Sequence, residues 1–138
     1  MVMTVGNECF SYQVSDSWEQ LPPGWVHRDV AGVAVDSRDR VYVFNRGEHP
    51  VIVYEPDGRF RASWGEGVFV SAHGITIGPD DTIYCVDYMD HSVRLFSTDG
   101  RLRQTLGTPG RPSDTGFIED YRSIGEVDLR FIAPRTSP

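Results

Sequence analysis

Residues 32–65 read GVAVDSRDRVYVFNRGEHPVIVYEPDGRFRASWG, and residues 74–107 read GITIGPDDTIYCVDYMDHSVRLFSTDGRLRQTLG. The second stretch repeats the first at an offset of 42 residues without a gap, and the turn Asp-Gly-Arg recurs at 57–59 and 99–101. A repeat of about 40 residues with strand-like content is the signature of a β-propeller blade. This repeat therefore decides the fold class.

Each copy of the repeat predicts four short strands, because runs of β-branched and aromatic residues alternate with polar turns. The first copy predicts strands at 32–36, 41–44, 51–54 and 60–64, and the second at 74–77, 83–86, 93–96 and 101–106. Pro56 presets φ and Gly58 accepts a positive φ in the turn before the fourth strand. We expect an all-β chain that forms a partial β-propeller of about two four-stranded blades.

The repeat divides the chain into four segments. Residues 1–28 hold a leading strand, where Phe10, Tyr12 and Val14 alternate with polar residues, and then a connector. Residues 29–70 and 71–110 are the two predicted blades, and residues 111–138 are a loop and an irregular tail. The tail fits no blade, and one allowed choice of codons, read in a shifted frame, resembles the start of another blade. We therefore predict an N-terminal fragment whose reading frame was lost after about Ile124; the alternative is a naturally short protein with a divergent tail.

Charge and composition exclude several classes of partner. The net charge is −7, from 13 basic and 20 acidic residues, which argues against nucleic acids and anionic membrane surfaces as partners. The sequence has no apolar run that could span a bilayer and no signal-peptide pattern at its start, so we expect a cytoplasmic protein. Cys9 and Cys85 are predicted to be free thiols.

The two copies resemble NHL repeats in four features: Gly-Val-Ala-Val-Asp at 32–36, Val-Tyr-Val at 41–43, the Asp-Gly-Arg turn and the Trp-Gly or Leu-Gly ending. More narrowly, the segment Val-Phe-Asn-Arg-Gly-Glu-His at 43–49 and His-Gly-Ile at 73–75 resemble the peptidyl-α-hydroxyglycine amidating lyases. The resemblance covers residues 29–116. It implies a six-bladed propeller that depends on zinc and carries a structural calcium ion.

This resemblance also implies roles for four residues. His73 would be a zinc ligand that points into the central channel, although the family has proline where this chain has Ala72. Arg46 would hold the substrate carboxylate and serve as the catalytic residue, and the backbone carbonyls of Val33 and Ile75 would bind calcium. The other two zinc histidines, the catalytic tyrosine and the calcium aspartate belong to later blades of the family.

Differences between the two copies support the same candidates. His73 replaces Ala31 of the first copy, and Arg46 is replaced by Tyr88 in the second, so neither residue is part of the repeated scaffold. Shared positions are instead predicted to be structural. These are His49 and His91, each expected to form a hydrogen bond within its blade, and the core aromatic residues Tyr42, Trp64, Tyr84 and Phe96. Asp87 is predicted to cap a blade through hydrogen bonds, and His27 carries no signal.

The resemblance implies an intact relative that cleaves a peptidyl-α-hydroxyglycine, or a similar small N-acyl hemiaminal, to an amide and glyoxylate. This chain, with one of the metal ligands, is expected to have little or no activity. One alternative is a non-catalytic NHL module that binds a peptide or protein. A second is a calcium-dependent lactonase-type propeller hydrolase. Self-association through open blade edges is also expected.

Overall fold

Ten β-strands and no helix make up the described part of the molecule, so the all-β prediction is confirmed. The structure is a computed structural model that describes residues 3–112. Its strands in chain order are β1 Thr4–Gly6, β2 Ser11–Gln13, β3 Val30–Val35, β4 Val41–Asn45, β5 Val51–Tyr54, β6 Phe60–Trp64, β7 Ala72–Ile77, β8 Ile83–Asp87, β9 Ser92–Phe96 and β10 Leu102–Leu106. The predicted tail lies almost entirely outside the described residues, as does the proposed frame change.

Two four-stranded antiparallel sheets correspond to the two copies of the repeat. The first sheet has the order β3-β4-β5-β6, and the second has the order β7-β8-β9-β10, so each strand pairs with the next one in the chain. A register shift lies between Val30 and Gly32 in the first sheet and at the equivalent place, between Ala72 and Gly74, in the second. The repeat in sequence therefore corresponds to a repeat in backbone geometry, irregularities included.

The predicted leading strand is present as β2, and it pairs with a second short strand, β1, to form a hairpin. The side chain of Asn7 accepts hydrogen bonds from the amides of Cys9 and Phe10 and so closes the turn between them. The partner strand was missed because Thr4–Gly6 is too short to show alternation.

The two sheets pack against each other through an apolar layer, which we call the inter-sheet core. Strand β3 lies against β7. The core residues are Tyr42, Phe44, Val51, Val53 and Trp64 from the first sheet, and Ala72, Ile83, Cys85 and Phe96 from the second. Three of the four predicted core aromatics, Tyr42, Trp64 and Phe96, are thus confirmed as core residues. The fourth, Tyr84, is only half-buried, because it lies on the face of the second sheet that points away from the first.

The connector, residues 15–28, covers the other face of the first sheet. Its apolar residues Trp18, Leu21 and Trp25 pack on Val43, Ile52, Tyr54 and Val41. Two hydrogen bonds fix it to the turn before β6: Trp18 Nε1 donates to Pro56 O at 3.1 Å, and Gln20 N donates to Gly58 O at 2.9 Å. The first sheet is therefore covered on both faces, by the connector and by the second sheet.

Candidate functional site

Arg46 and His73, which the sequence singled out, lie on neighbouring sheets. Arg46 directly follows β4, and its backbone amide donates to Arg28 O at 2.8 Å. Its side chain reaches across to the second sheet, where Nε donates to Ala72 O at 3.0 Å. Because Ala72 directly precedes His73 in β7, this bond brings the guanidinium group next to the backbone of the histidine.

Arg46 keeps its charge-bearing end available. Nε bonds to a neutral carbonyl, the residue is exposed, and its terminal nitrogens form no ion pair with any residue in the range 3–112. A guanidinium group held in this way presents two amino groups in a plane, which matches the geometry of a carboxylate. The arrangement is suited to anion binding.

The ring of Tyr88 lies beside the ring of His73. Its ring lies 5.4 Å from the ring of His73, centroid to centroid, with an angle of 55° between the planes. Half of the Tyr88 surface is exposed, and His73 is exposed as well. Tyr88 is the repeat-mate of Arg46. Arg46 bonds to the backbone next to His73 and Tyr88 contacts the His73 ring, so the loops after the second strand of both sheets reach this histidine. We refer to Arg46, His73 and Tyr88 as the corner site.

Two buried residues hold the loops that carry Arg46 and Tyr88. Asn45 accepts from Gly47 N at 2.8 Å, and its amide group donates to His49 O at 2.9 Å. Asp87 is the repeat-mate of Asn45 and accepts from Asp90 N, in the loop of Tyr88, at 3.2 Å. It also accepts from Val70 N at 2.6 Å and Ser71 N at 3.0 Å, before β7, so its predicted hydrogen-bonding role is confirmed.

A zinc centre with three protein ligands does not fit the described residues. Within residues 3–112, no three side chains of His, Cys, Asp or Glu come together in a way that could hold a metal ion. The neighbour of the His73 ring is the phenol ring of Tyr88, and the carboxylate of Asp87 is engaged with backbone amides. His73 alone cannot supply the usual catalytic arrangement of three ligands and an open position.

Val33 and Ile75, the residues implied in calcium binding, occupy equivalent places on the first strand of each sheet. Asp36 N bonds to Arg40 O, so the even-numbered residues of β3 form the ladder with β4 and the carbonyl of Val33 points away from it. The bond from Gly78 N to Thr82 O gives the same result for Ile75 on β7. Both carbonyls are thus left outside these two ladders, and their role in binding calcium stays a prediction.

His49 and His91 occupy equivalent positions in the two copies of the repeat. His49 stacks on Trp25, with 3.3 Å between ring centroids, and its Nδ1 lies 3.2 Å from Glu66 Oε1, which confirms the predicted hydrogen bond within the first copy of the repeat. His91 differs: it adopts a left-handed φ of 54°, is exposed, and its ring forms no hydrogen bond in the described part of the chain. Among residues 3–112 no aromatic ring lies beside His91 as Trp25 lies beside His49, so the structural role expected of His91 stays a prediction.

His27 forms a side-chain contact that could not be predicted from the sequence. Its Nε2 lies 2.7 Å from Glu19 Oε2, and the hydroxyl of the buried Tyr54 donates to the same carboxylate oxygen at 3.1 Å. Burial, followed by the charge of Glu19 and the hydrogen bond to it, raises the pKa of Tyr54. The three side chains fix the connector to the first sheet, and only the fold brings them together.

No protein-family model and no curated protein sequence matches this chain. Among residues 3–112 there is no helix long and apolar enough to cross a bilayer.

Proposed function

We propose that the two sheets are successive blades of an NHL-type β-propeller. Three observations support this proposal. The sheets share one strand order, their first strands lie against each other, and the register shift recurs at an offset of 42 residues. In a propeller, four-stranded blades pack side by side around a central channel. The corner site would then lie where the loops of two blades meet.

The function proposed for the corner site is binding of the carboxylate of a small N-acyl compound. The observation that carries this proposal is the bond from Arg46 Nε to Ala72 O, because it orients the guanidinium group while both terminal nitrogens have no partner among residues 3–112. His73 follows Ala72 in the chain, and its exposed ring, with the ring of Tyr88 5.4 Å away, would contact the rest of the ligand.

The resemblance to the amidating lyases suggests the ligand class, an N-acyl-α-hydroxyglycine. Its cleavage breaks the bond between the α-carbon and the amide nitrogen, moves the hydroxyl proton to that nitrogen, and leaves an amide and glyoxylate. In this chain Arg46 would bind and orient the carboxylate. The described residues lack a zinc centre, so we assign no step of the cleavage to them. We expect binding by this chain without measurable turnover.

N-benzoylglycine, a stable carboxylate of this class, tests the proposal. Calorimetric titration should show binding to the parent chain, and Arg46→Ala should weaken it at least about tenfold, or 1.4 kcal/mol. Arg46→Lys keeps the charge but loses the planar fork, so binding should be intermediate. Arg103→Ala, on an exposed position of β10, is the control and should bind like the parent. No binding to the parent, or equal binding to Arg46→Ala, would overturn the proposal.

A non-catalytic binding module is the second candidate. It is favoured by the lack of a three-ligand metal group among residues 3–112. The two candidates differ in their response to a minimal ligand. N-benzoylglycine should bind if the site reads a carboxylate, whereas a surface that recognises an extended peptide should not respond to it.

A further inference from the structure

Three charged side chains lie buried in the second sheet, next to the corner site. Asp87, Asp90 and Arg94 are only 0%, 7% and 9% exposed. Arg94 Nη2 donates to Asp90 Oδ2 at 2.5 Å, and Arg94 Nη1 lies 3.7 Å from Asp87 Oδ2. The guanidinium group thus spans both carboxylates. We call these three residues the Arg94 cluster.

Asp87 connects the Arg94 cluster to the corner site. Its Oδ2 accepts from Val70 N at 2.6 Å and its Oδ1 accepts from Ser71 N at 3.0 Å, directly before β7. Oδ1 also accepts from Asp90 N at 3.2 Å, which closes the loop that carries Tyr88. One carboxylate therefore fixes both the start of β7, which carries the site histidine, and the loop of Tyr88.

The first copy of the repeat has a neutral arrangement at the same positions. Asn45 takes the place of Asp87, and Ile52 takes the place of Arg94. Asn45 reaches the segment before β3 through one long bond, from Arg28 N at 3.4 Å, whereas Asp87 forms two shorter bonds to the segment before β7. A loop of this kind therefore folds without buried charges, and the tighter attachment occurs in the copy that carries the site histidine.

We propose that Arg94 is a positioning residue of the corner site, which it serves from the core through Asp87 and Asp90. A buried carboxylate without a charged partner is costly, so Asp87 holds its amide donors in place only while Arg94 compensates its charge. The bonds to these amides set the place of Ala72, whose carbonyl oxygen orients Arg46. The inference rests on the proposed function, because it gives Arg94 a part in ligand binding.

A neutral form of the Arg94 cluster separates positioning from stability. The combination of Asp87→Asn, Asp90→Asn and Arg94→Ile removes every charge of the cluster and uses the first copy's residues at two of the three positions. Replacing buried ion pairs by neutral residues often leaves stability unchanged, so this variant should fold. The amide at position 87 has one acceptor oxygen instead of two, so it cannot keep the bonds to both Val70 N and Ser71 N in their present form.

NMR of the full chain and calorimetric titration with N-benzoylglycine test the proposal. The parent should show a nuclear Overhauser effect between the rings of His73 and Tyr88, which lie 5.4 Å apart. The neutral variant should lose this effect, and its affinity for N-benzoylglycine should fall at least about fivefold. Arg103→Ile removes a positive charge from an exposed position of the same sheet, and this control should match the parent in both measurements.

Two single substitutions keep the test decisive if the neutral variant does not fold. Arg94→Gln retains a donor for Asp90 but loses the charge and the span to Asp87, so it should weaken the ring contact and the affinity in the same direction. Arg94→Lys keeps the charge and should restore the ring contact, with an affinity within about threefold of the parent.

The outcomes for this inference and for the proposed function can be told apart. If the cluster only stabilised the fold, the variants would lower the free energy of unfolding while the folded protein kept the ring contact and the affinity. That result in Arg94→Gln and in the neutral variant would overturn the inference and leave the proposed function intact. A parent that shows the ring contact but does not bind N-benzoylglycine would overturn the proposed function, whereas the loss of ring contact in the variants would still support positioning by Arg94.

Discussion

Asp36 is the most heavily hydrogen-bonded carboxylate of the first sheet. It accepts hydrogen bonds from Arg40 Nε at 2.7 Å, from the Tyr42 hydroxyl at 3.0 Å and from the amides of Arg38 and Arg40. Burial alone would raise the pKa of Asp36, but these bonds outweigh it and lower the pKa below its usual value. The ionised carboxylate therefore belongs to the native structure.

Asp36→Asn should destabilise the protein by about 3–5 kcal/mol at pH 7, because Arg40 stays buried without a charged partner. The lowered pKa also sets a pH dependence. The stability that Asp36 contributes is complete above its unfolded value of about 3.9 and is lost as the pH falls through the folded value. The midpoint of thermal unfolding, measured from pH 7 to 2.5, should thus fall less steeply below about pH 4 in the variant.

Asp39→Asn is the control for this prediction. It removes the same charge from an exposed turn position of the same loop and should change the stability by no more than about 0.5 kcal/mol. A similar loss in both variants would show that net charge, and not the buried pair, is responsible.

The two cysteines should differ sharply in reactivity. Cys9 is exposed, whereas Cys85 is fully buried in the inter-sheet core, where burial raises the pKa of its thiol to about 12. The thiolate is the reactive form, so a thiol reagent at pH 8 should label one site per native chain and two in denaturant. Cys9→Ser should abolish native labelling. Rapid labelling of both sites in the native parent would contradict the burial of Cys85.

Residues of the corner site were predictable one at a time but not as a group. Arg46 and His73 stood out because each differs from its repeat-mate. Their contact through Ala72 depends on how the second sheet packs against the first, which no local pattern encodes. Tyr88 could have been identified from the sequence, since it occupies the repeat position of Arg46. The contacts of His27 could not, because its partners Glu19 and Tyr54 come together only when the connector folds onto the first sheet.

At the scale of elements, the connector depends on a close approach at Gly58. This residue has a φ of +83°, and a Cβ atom there would lie 1.8 Å from the backbone oxygen of Trp18. Gly58→Ala should therefore displace the connector and lose the bond from Gln20 N, at a cost of at least about 3 kcal/mol. Thermal unfolding gives the stability. Tryptophan fluorescence should shift to the red, because Trp18 and Trp25 both lie on the connector.

Gly67→Ala is the matched control for the connector. Gly67 also has a positive φ, of +71°, but a Cβ atom there would meet nothing within 4 Å. It should cost about 1 kcal/mol from backbone strain alone and leave the fluorescence unchanged. An equal loss in the free energy of unfolding for both variants would mean that the connector does not pack closely against Gly58.

The eight strands of the two large sheets were predictable to within two residues at each end, because each shows the composition of a half-buried or buried strand between turn residues. Strand β2 lies within the predicted leading strand, whereas β1 was not predicted, since its three residues carry too little pattern. The connector was recognised only as a segment outside the repeat. Its packing on Val43, Ile52 and Tyr54 is a tertiary contact that propensity does not determine.

At the scale of the whole molecule, the two sheets are alike in sequence but differ in what covers them. Tyr42, Phe44, Val51 and Val53 of the first sheet are buried against the second. Their repeat-mates lie half-buried on the face of the second sheet that points away from the first, and they are Tyr84, Val86, Val93 and Leu95. The second sheet therefore repeats the surface with which the first sheet binds its neighbour. This relation between the copies could be predicted from the sequence, because the repeat-mates are apolar in both.

The approach of the two sheets to each other depends on Gly32. A Cβ atom there would lie 3.2 Å from Ile75 Cγ2 and 3.3 Å from Ile75 N, so β3 and β7 would have to move apart. Gly32→Ala should cost about 1–2 kcal/mol through this overpacking. Its repeat-mate provides the control, since a Cβ atom at Gly74 would meet nothing within 4 Å. Gly74→Ala should be neutral or stabilise by up to about 1 kcal/mol, because alanine is favoured over glycine inside a strand. Chemical denaturation gives the free energy of unfolding of both variants. An equal decrease in the two would show that the sheets do not pack through their first strands.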